Sequence, residues 1–450
     1  MEQSNTKAKK LMKLKSKKLI VAVAMSGGVD SSVVAKMMVD EGHETVGLFL
    51  KLWSDPTSPS GLRGAGPTCS KQNRCCDYEA LEDARAVAKK LNIPFYVINA
   101  EAEFKKEIVD KFLDEYKDLR TPNPCIRCNE YIKFDLLLKK ALEIGCEKLA
   151  TGHYARIDSG NSGISNFQFP ISKQISNPND KNPKKPKSPD AALPIGIPTA
   201  MSGLKAGFDS SKDQSYMLYR LKQNQLSKVL FPLGNYLKKD VRKLAIEWDL
   251  PVKEKPESQE ICFFGDRDYR EFLKRYLDKQ YFEPGDIVDT KGNVLGEHEG
   301  LVNYTIGQRK GIAQDTRNKR QATNILYVTG FDVEKNQLIV GKDREVYSKE
   351  MVVSDLNWID PKKLIPKKSP KGGSPFGRLQ AKIRYRHEAV GCRIEYSKTA
   401  GQPDSRAVKV IFDNPQRAVT SGQSAVFYGR SPSRGAPAKW DEVIGGGIIQ

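Results

Sequence analysis

The stretch Leu19-Ile-Val-Ala-Val-Ala-Met-Ser-Gly-Gly-Val-Asp-Ser-Ser32 decides the class of fold. Its first six residues form a continuous apolar run, which is typical of a strand buried on both faces of a parallel sheet. Residues 31–41 have helical spacing, and Gly42 is placed to end that helix. Two consecutive glycines let the backbone turn tightly, so that several N–H groups and the positive end of the helix face one point. The sequence therefore predicts an anion-binding loop after the first strand.

This loop carries a carboxylate and hydroxyls but no lysine. Asp30 and Ser31 are suited to cap the helix, and a carboxylate beside phosphates can hold Mg²⁺. Because no lysine follows the glycines, the loop differs from the phosphate loop of kinases. A capped turn without any ligand is the alternative. The complete string from Ser26 to Ser32 is specific enough to disfavour it.

Strand-like runs and helical segments alternate after the loop. The strand-like runs begin at Thr45, Phe95 and Lys148, and the helical segments cover residues 77–91, 104–119 and 131–144. Such alternation predicts an α/β fold with a doubly wound parallel sheet. Residues 158–200 contain seven prolines with many Asn, Ser and Lys, which predicts a low-complexity insertion without a packed core.

The chain changes character towards its C-terminus. Residues 223–312 are predicted to form a small central domain, which begins with helices. Beyond Pro284-Gly285, short alternating runs separated by Gly, Asn and Asp turns are typical of a small β-barrel. We therefore expect an α/β domain at residues 19–222, the central domain, and a C-terminal β-barrel at residues 320–450.

Charge is concentrated in two stretches. The 450 residues include 74 Lys and Arg against 55 Asp and Glu, a formal net charge of +19. Residues 1–18 carry +6 and residues 361–400 carry +9. The first stretch is interpreted as a solvated tail. The second favours a nucleic-acid partner, because its cations follow a strand pattern in Ala381-Lys-Ile-Arg-Tyr-Arg386.

Membrane and secreted classes are disfavoured. The apolar run at residues 19–25 is far shorter than the roughly 20 residues that a spanning helix needs. The basic start also lacks the long apolar segment and cleavage site of a signal peptide. We expect a cytoplasmic protein without a membrane partner, whose eight cysteines serve redox chemistry, metal binding or burial rather than a disulfide framework.

Three of the cysteines lie in distinctive strings. Thr121-Pro-Asn-Pro-Cys-Ile-Arg-Cys-Asn129 places Cys125 and Cys128 in a Pro-stiffened loop before a predicted helix, where the helix dipole favours a thiolate. Ser258-Gln-Glu-Ile-Cys262-Phe-Phe-Gly adds a third thiol. A structural zinc site has four ligands, and the sequence has no second Cys-x-x-Cys pair to complete one. Cys146 and Cys392 are interpreted as core residues, and Cys69, Cys75 and Cys76 are left unassigned.

Taken together, the loop and the cysteine strings resemble the tRNA-specific 2-thiouridylase family, within the superfamily of PP-loop ATP pyrophosphatases. The resemblance covers nearly the whole chain outside residues 1–18 and 158–200. It is also carried by Ala150-Thr-Gly-His-Tyr154, Lys212-Asp-Gln-Ser-Tyr216, Phe231-Pro-Leu-Gly234, Gly296-Glu-His-Glu-Gly-Leu301, Tyr304-Thr-Ile-Gly-Gln-Arg-Lys-Gly311 and Gly422-Gln-Ser-Ala-Val-Phe-Tyr428. It implies an ATP-pyrophosphatase domain followed by a central domain and a barrel that binds tRNA.

The resemblance also implies roles for individual residues. Cys128 matches the nucleophile, and Cys262 matches the cysteine that carries a persulfide. The ATP-contacting positions match Ala24, Met25, Ser26, Gly27, Gly28, Val29, Asp30, Ser31, Leu50 and Gly152. The positions that contact tRNA or its target base match Asn123, Pro124, Cys125, His153, Lys212, Asp213, Gln214, Arg384, Tyr385 and Gln423.

The implied reaction converts the wobble uridine of tRNA to 2-thiouridine. ATP with Mg²⁺ adenylates the C2 oxygen, pyrophosphate leaves, and sulfur from the Cys262 persulfide replaces AMP, with a Cys128–Cys262 disulfide formed in the process. The implied partners are tRNA and a sulfur donor such as a cysteine desulfurase or a sulfur-relay protein.

Several alternatives stay open from the sequence. Many family members have Asp where this chain has Cys125. Together with Cys128 and Cys262, Cys125 could therefore hold an iron–sulfur cluster in a variant of the same reaction. Thiolation at another tRNA position, an amidating synthetase and an RNA-binding protein with an inactive ATP site are the remaining alternatives.

Overall fold

The computed structural model of the protein describes residues 18–55, 78–158, 203–257, 261–263, 268–312, 325–360, 378–396, 407–431 and 439–450. The predictions for the N-terminal tail, for the insertion beyond Asp158, for Cys69, Cys75 and Cys76, and for residues 361–377 lie outside these residues. Within the described ranges, no helix is both long and apolar enough to cross a membrane.

The strands of the described residues lie between Ile20 and Ile449. In order they are β1 Ile20–Ala24, β2 Glu44–Lys51, β3 Phe95–Asn99, β4 Lys148–Ala150, β5 Ala155–Asp158, β6 Gly203–Ala206, β7 Val229–Leu230, β8 Gly285–Asp289, β9 Val294–His298, β10 Tyr327–Asp332, β11 Gln337–Gly341, β12 Tyr347–Trp358, β13 Leu379–Lys382, β14 Val390–Tyr396, β15 Val408–Arg417, β16 Ser424–Ser431 and β17 Lys439–Ile449.

Within the residues that the structure describes, helices are concentrated in the first half of the chain. The α-helices are α1 Val29–Asp40, α2 Tyr78–Leu91, α3 Glu101–Phe104, α4 Lys111–Lys117, α5 Pro124–Arg127, α6 Leu138–Glu143, α7 Gln223–Leu226, α8 Lys238–Glu247 and α9 Tyr269–Tyr276. Two π-helical segments, Lys105–Asp110 and Cys128–Leu137, join α3 to α4 and α5 to α6. Single 3₁₀ turns occur at Ser215–Leu218, Pro232–Asn235, Lys279–Phe282, Leu301–Asn303 and Asp343–Val346.

The first sheet is parallel throughout and has the order β3-β2-β1-β4-β7. Strand β1 lies in its centre, and its alternate residues serve two different cores. Val21 and Val23 pack in the core that contains α1, α2 and α8, whereas Ala22 packs in the core that contains the helix from Pro124 to Glu143. Because successive side chains of a strand point to opposite faces, a fully apolar β1 fits between two helical layers. The predicted doubly wound α/β sheet is confirmed.

Strands β12 to β17 form the predicted C-terminal barrel. Its order is β12-β15-β14-β13-β16-β17, and pairing of β12 with β17 closes it. The β5–β6 hairpin of the first domain then pairs with β17, with Lys205 opposite Glu442. One continuous sheet therefore ties the barrel to the α/β domain.

A smaller sheet is formed by the chain between these two units and has the order β10-β11-β8-β9. Its core includes Ile287, Tyr304 and Leu338. The sheet spans the boundary predicted between residues 312 and 320, since β10 and β11 belong to it. The class of fold predicted from the sequence, with an α/β domain, a central domain and a barrel, is confirmed.

Local predictions were wrong at the Cys125 helix and at the cationic strand. The helix expected from residue 131 starts at Pro124, so Cys125 and Cys128 lie on its first turns and not in a loop before it. Asn123 caps this helix by accepting a hydrogen bond from the Ile126 N–H, and Pro at the first helical position fits there because its missing N–H needs no partner. The cationic strand also ends at Lys382, which leaves Arg384 and Arg386 in the following turn.

Candidate active site

The loop from Ala24 to Ser31 joins β1 to α1, and the Ser31 side chain hydrogen bonds to two of its backbone groups. Helix α1 starts at Val29, so the expected start at residue 31 was two residues late, and its N-cap is Gly28 without a side-chain cap. Ser31 Oγ donates to the Gly28 carbonyl at 3.1 Å and accepts from the Ser26 N–H at 3.2 Å. Ser31 therefore shapes the loop and does not cap the helix as the sequence suggested.

The glycines in and around the loop differ in what a Cβ at their position would contact. Gly27 has a φ of +70°, and a Cβ there would lie 2.2 Å from the Ala80 carbonyl oxygen. At Gly28, in contrast, a Cβ would meet only Ser26 Oγ at 3.5 Å. A Cβ at Gly152 would lie 3.1 Å from the Ser31 nitrogen. The loop is thus packed against protein at Gly27 and Gly152 and open at Gly28, as an anion cradle requires.

Asp30 has two strong partners. Lys238 Nζ lies 2.7 and 2.6 Å from its carboxylate oxygens, and the Tyr154 hydroxyl donates to Oδ1 at 2.9 Å. Burial and the Asp30 charge raise the pKa of Tyr154, so this phenol stays protonated as a donor. Asp30 does not serve as a helix cap and is the carboxylate of the loop itself.

A cavity of about 310 Å³ lies beside the loop. Of the predicted ATP-contacting residues, Ala24, Met25, Ser26, Asp30, Ser31, Leu50 and Gly152 line it. Apolar side chains such as Leu48 and Leu52 complete one wall. Cys125, Cys128 and Cys262 line the same cavity. The fold therefore brings together the loop and the three thiols from three distant parts of the chain.

Each thiol is held by a different environment. Cys125 is exposed, Cys128 is buried, and Cys262 is intermediate. Phe263, next to Cys262, is fully buried and packs on Phe112 with a ring-centroid distance of 5.3 Å. This anchor holds Cys262 at the cavity wall. Cys146 and Cys392 are buried in cores away from the cavity, as expected.

The three thiols do not form a metal-ligand group. Among the residues described, no set of three or more His, Cys, Asp or Glu side chains is arranged to hold a metal ion. Three cluster ligands would have to converge on one iron–sulfur unit. The described residues therefore show no metal-ion site at Cys125, Cys128 and Cys262, and the iron–sulfur alternative stays a prediction.

A larger cavity of about 980 Å³ also borders the loop, and Ser26, Asp30 and Cys125 are among the residues it shares with the first. The remaining predicted ATP-contacting residues, Gly27, Gly28 and Val29, line it. So do six of the residues predicted to contact tRNA, which are Cys125, His153, Lys212, Asp213, Gln214 and Tyr385. Its basic side chains are Lys133, Lys212, Lys238, Arg242, Lys255, Lys382 and Arg386, against the acidic Asp30, Asp213, Glu257 and Glu388. This excess of positive charge suits a polyanion.

Four predicted tRNA positions lie outside the lining of the larger cavity. Pro124 lines the smaller one, and Asn123 caps α5. Arg384 donates to the Arg417 carbonyl at 2.7 Å, and burial lowers its pKa. Gln423 donates to the Thr121 carbonyl at 2.9 Å. In this structure the Asn123 and Gln423 side chains fix the segment next to Cys125, and the Arg384 side chain bonds within the barrel.

His153 lies at the junction of the two cavities. Its ring packs between Phe134 and Phe231, and its Nδ1 is 2.8 Å from the Thr151 hydroxyl. Burial, with a smaller contribution from Lys133, holds its pKa well below the usual value. His153 is therefore neutral at pH 7 and can take part in hydrogen bonds without adding charge.

Sequence reasoning missed several residues of the site. Lys133 lines both cavities, while Tyr154, Lys238 and Glu257 line the larger one. Tyr154 belongs to a string that carried the family resemblance, so its proximity to the loop was foreseeable. No local pattern marks Lys238, because it lies 208 positions from Asp30 along the chain.

Comparison with known proteins covers most of the chain. A family profile described as the tRNA methyl transferase HUP domain matches residues 19–181 and 196–266. Profiles for the tRNA methyl transferase PRC-barrel domain and the aminomethyltransferase beta-barrel domain match residues 270–342 and 348–449.

Curated relatives match over nearly their full length. A tRNA-specific 2-thiouridylase MnmA from Acetivibrio thermocellus is 40% identical over 96% of this chain and 99% of its own. One from Carboxydothermus hydrogenoformans is 40% identical over 96% of this chain and 97% of its own. The solved NMN synthetase from Francisella tularensis is 15% identical over 59% of this chain and 75% of its own, with a TM-score of 0.28, which is too low to establish a shared fold. On the strength of the curated relatives and the matched profiles, this chain belongs to the tRNA-specific 2-thiouridylase family.

Proposed function

We propose that this protein uses ATP to replace the C2 oxygen of the wobble uridine of tRNA by sulfur. The observation that carries the proposal is one cavity lined by the phosphate loop, by Cys128 and by Cys262. Activation of the base and delivery of sulfur need to occur at the same carbon atom. A single cavity that is lined by the phosphate loop and by both cysteines suits that sequence of steps.

ATP fits the smaller cavity and the loop. The apolar wall around Leu48 and Leu50 suits adenine, and the open backbone at Gly28 suits phosphate. Asp30 would hold Mg²⁺, which is commonly bound by one or two carboxylates together with substrate phosphates. Mg²⁺ supplies charge stabilisation for the departing pyrophosphate. The backbone N–H groups of the loop would donate hydrogen bonds to the same phosphates.

Two cysteines carry the sulfur. A donor such as a cysteine desulfurase or a sulfur-relay protein loads Cys262 as a persulfide, and its terminal sulfur attacks C2 of the adenylated uridine while AMP leaves. The Cys128 thiolate then attacks the Cys262 Sγ, which breaks the S–S bond and leaves the terminal sulfur on C2. The Cys128–Cys262 disulfide that results needs a thiol reductant before the next turnover.

The larger cavity is the proposed tRNA site. Its basic lining attracts the phosphate backbone, and Tyr385 offers a ring on which a base can stack. A wobble base that is splayed out of the anticodon loop would pass Cys125, which lines both cavities, and would then reach the phosphate loop of the protein. His153 and Gln214 also line both cavities and are placed to contact it.

The test compares Cys128→Ser, Cys262→Ser and the control Cys146→Ala, which changes a buried cysteine away from both cavities. Thiolation of unmodified tRNA is assayed with a cysteine desulfurase and cysteine as the sulfur donor, beside tRNA binding and tRNA-dependent ATP–pyrophosphate exchange. We expect both serine variants to lose thiolation while they keep tRNA binding and exchange, and the control to keep all three. A wild-type protein that binds tRNA but shows neither exchange nor thiolation would instead be an RNA-binding module.

A further inference from the structure

The phosphate loop supplies no cation of its own. Residues 24–32 contain neither Lys nor Arg, and Asp30 adds a negative charge at the loop. ATP and pyrophosphate both bring several negative charges to this place. Backbone N–H groups offer only partial charges, so a full positive charge has to come from another part of the fold.

Lys238 brings such a charge to the loop. Its Nζ bridges both oxygens of Asp30, and only 12% of its side chain is exposed. The backbone N–H of Lys238 donates to Asp209 Oδ2 at 2.9 Å, which fixes the start of α8. Val241 and Leu244 of α8 pack in the same core as α1. The position of Lys238 beside the loop is therefore set by a buried helix pair.

Two more cations meet Lys238 at one carboxylate. Glu257 Oε2 accepts a hydrogen bond from Lys212 at 2.6 Å, and Glu257 Oε1 lies 3.7 Å from Lys238 Nζ and 3.8 Å from Arg242 Nη2. The hydrogen bond from Lys212, then the charges of Lys238 and Arg242, lower the pKa of Glu257. Arg242 follows Lys238 by four positions, so both lie on one face of α8. Three cations thus surround a single anionic group.

This cluster lies where the phosphates would extend. Lys212, Lys238, Arg242 and Glu257 line the larger cavity together with Gly27 and Gly28 of the loop. The smaller, partly apolar cavity suits adenosine, and it meets the larger one at Ser26 and Asp30. A nucleotide in the first cavity would therefore point its terminal phosphates towards the three cations.

We propose that Lys238 and Arg242, with Lys212, form the cationic wall of the pyrophosphate site, and that Glu257 is an internal anion which phosphate displaces. The proposal deepens the ATP-dependent function proposed above and rests on it. When Lys238 turns from Asp30 to phosphate, the Asp30 carboxylate becomes available to Mg²⁺. Glu257 keeps the three cations together before ATP arrives and competes with its phosphates.

The two halves of the proposal predict opposite effects on binding. Removal of a cation weakens pyrophosphate binding, whereas removal of the competing anion strengthens it. The variants are Lys238→Ala, Arg242→Gln and Glu257→Gln, with Lys238→Arg as the charge-conserving variant. Lys239→Ala is the matched control, because Lys239 carries the same charge on the first turn of α8 but is exposed.

Titration calorimetry of the full chain would use inorganic pyrophosphate with Mg²⁺ and, in separate titrations, AMP and ATP. We expect Lys238→Ala to raise the Kd for pyrophosphate at least about tenfold, as for loss of a charged hydrogen bond, and to change the Kd for AMP less than about twofold. Arg242→Gln should weaken pyrophosphate binding less, since Arg242 lies further from the loop. Glu257→Gln should lower the Kd about threefold or more. Lys238→Arg should recover part of the loss, and Lys239→Ala should match wild type.

Different failures have different meanings. If wild type binds pyrophosphate and Lys238→Ala binds it equally well, the inference is wrong while the proposed function stands. Equal losses for pyrophosphate and AMP would show that Lys238 only supports the fold of the loop. Weaker binding by Glu257→Gln would overturn its role as a competing anion. A wild-type chain that binds neither ATP nor pyrophosphate would refute the proposed function itself.

Discussion

The side-chain amide of Gln423 donates a hydrogen bond of 2.9 Å to the backbone carbonyl of Thr121. Gln423 immediately precedes β16 of the barrel, and Thr121 lies two residues before the cap of the helix that carries Cys125 and Cys128. The Thr121 N–H in turn donates to the Ser421 carbonyl at 2.9 Å. The barrel therefore holds the chain just before two of the three thiols.

Replacing Gln423 by Ala should loosen the segment that leads to Cys125. Loss of one neutral hydrogen bond costs about 1 kcal/mol, which corresponds to about fivefold faster exchange of amide hydrogens that open locally. Hydrogen–deuterium exchange followed by mass spectrometry measures this in residues 121–127. Gln450→Ala, which removes an exposed amide bonded to the Ile448 carbonyl, is the control. Unchanged exchange in residues 121–127 would show that the backbone contacts alone hold the segment.

Gly28→Ala should separate ligand binding from folding. The φ of Gly28 is −101°, which any residue adopts, and its Cβ would meet only Ser26 Oγ at ordinary contact distance. We expect the variant to unfold within about 1 °C of wild type, because no protein atom is displaced. Its affinity for ATP should fall at least about tenfold, since the new methyl group would occupy the approach of the phosphates.

Gly27→Ala is the matched comparison and should show the opposite pattern. Its φ of +70° and a Cβ 2.2 Å from the Ala80 carbonyl oxygen should destabilise the domain by about 2–4 kcal/mol. Thermal unfolding and ATP titration of both variants check the pair. If Gly28→Ala unfolds as early as Gly27→Ala, the open side of the loop is needed for folding and not for phosphate.

His153 should make the protein less stable as the pH falls below about 6.5. Burial holds its folded-state pKa well below the usual value of 6.5, so the unfolded chain takes up a proton that the folded chain does not. The contribution of neutral His153 to the free energy of unfolding is fully present above pH 6.5. It is lost below pH 6.5, with a slope of at most about 1.4 kcal/mol per pH unit.

His153→Phe tests this, because phenylalanine packs between Phe134 and Phe231 but cannot titrate. Urea denaturation at pH 7.5 and pH 5.5 gives the change in the free energy of unfolding. We expect wild type to lose about 1 kcal/mol more than the variant over this interval. Equal losses would mean that His153 becomes protonated in the folded protein.

The class of fold and the loop could be predicted because both depend on residues that are contiguous in sequence. An apolar β1, two glycines and a helical period are local patterns with a direct geometric meaning. The family resemblance then indicated which cysteines matter. Local prediction was wrong at the start of α1 and at the helix of Cys125, where capping and proline decide the boundary within a few residues.

The amino-acid sequence alone determined the parallel sheet, the anion-binding loop and the three candidate thiols. Only the tertiary structure decided that Lys238 forms a salt bridge with Asp30 and that Glu257 pairs with three cations. It also decided that Gln423 hydrogen bonds to the segment before Cys125. These relationships join residues that are 15 to 302 positions apart, and no period or motif records them. They exist because buried helix and sheet packing brings distant backbones within hydrogen-bond distance, which is a property of the folded chain as a whole.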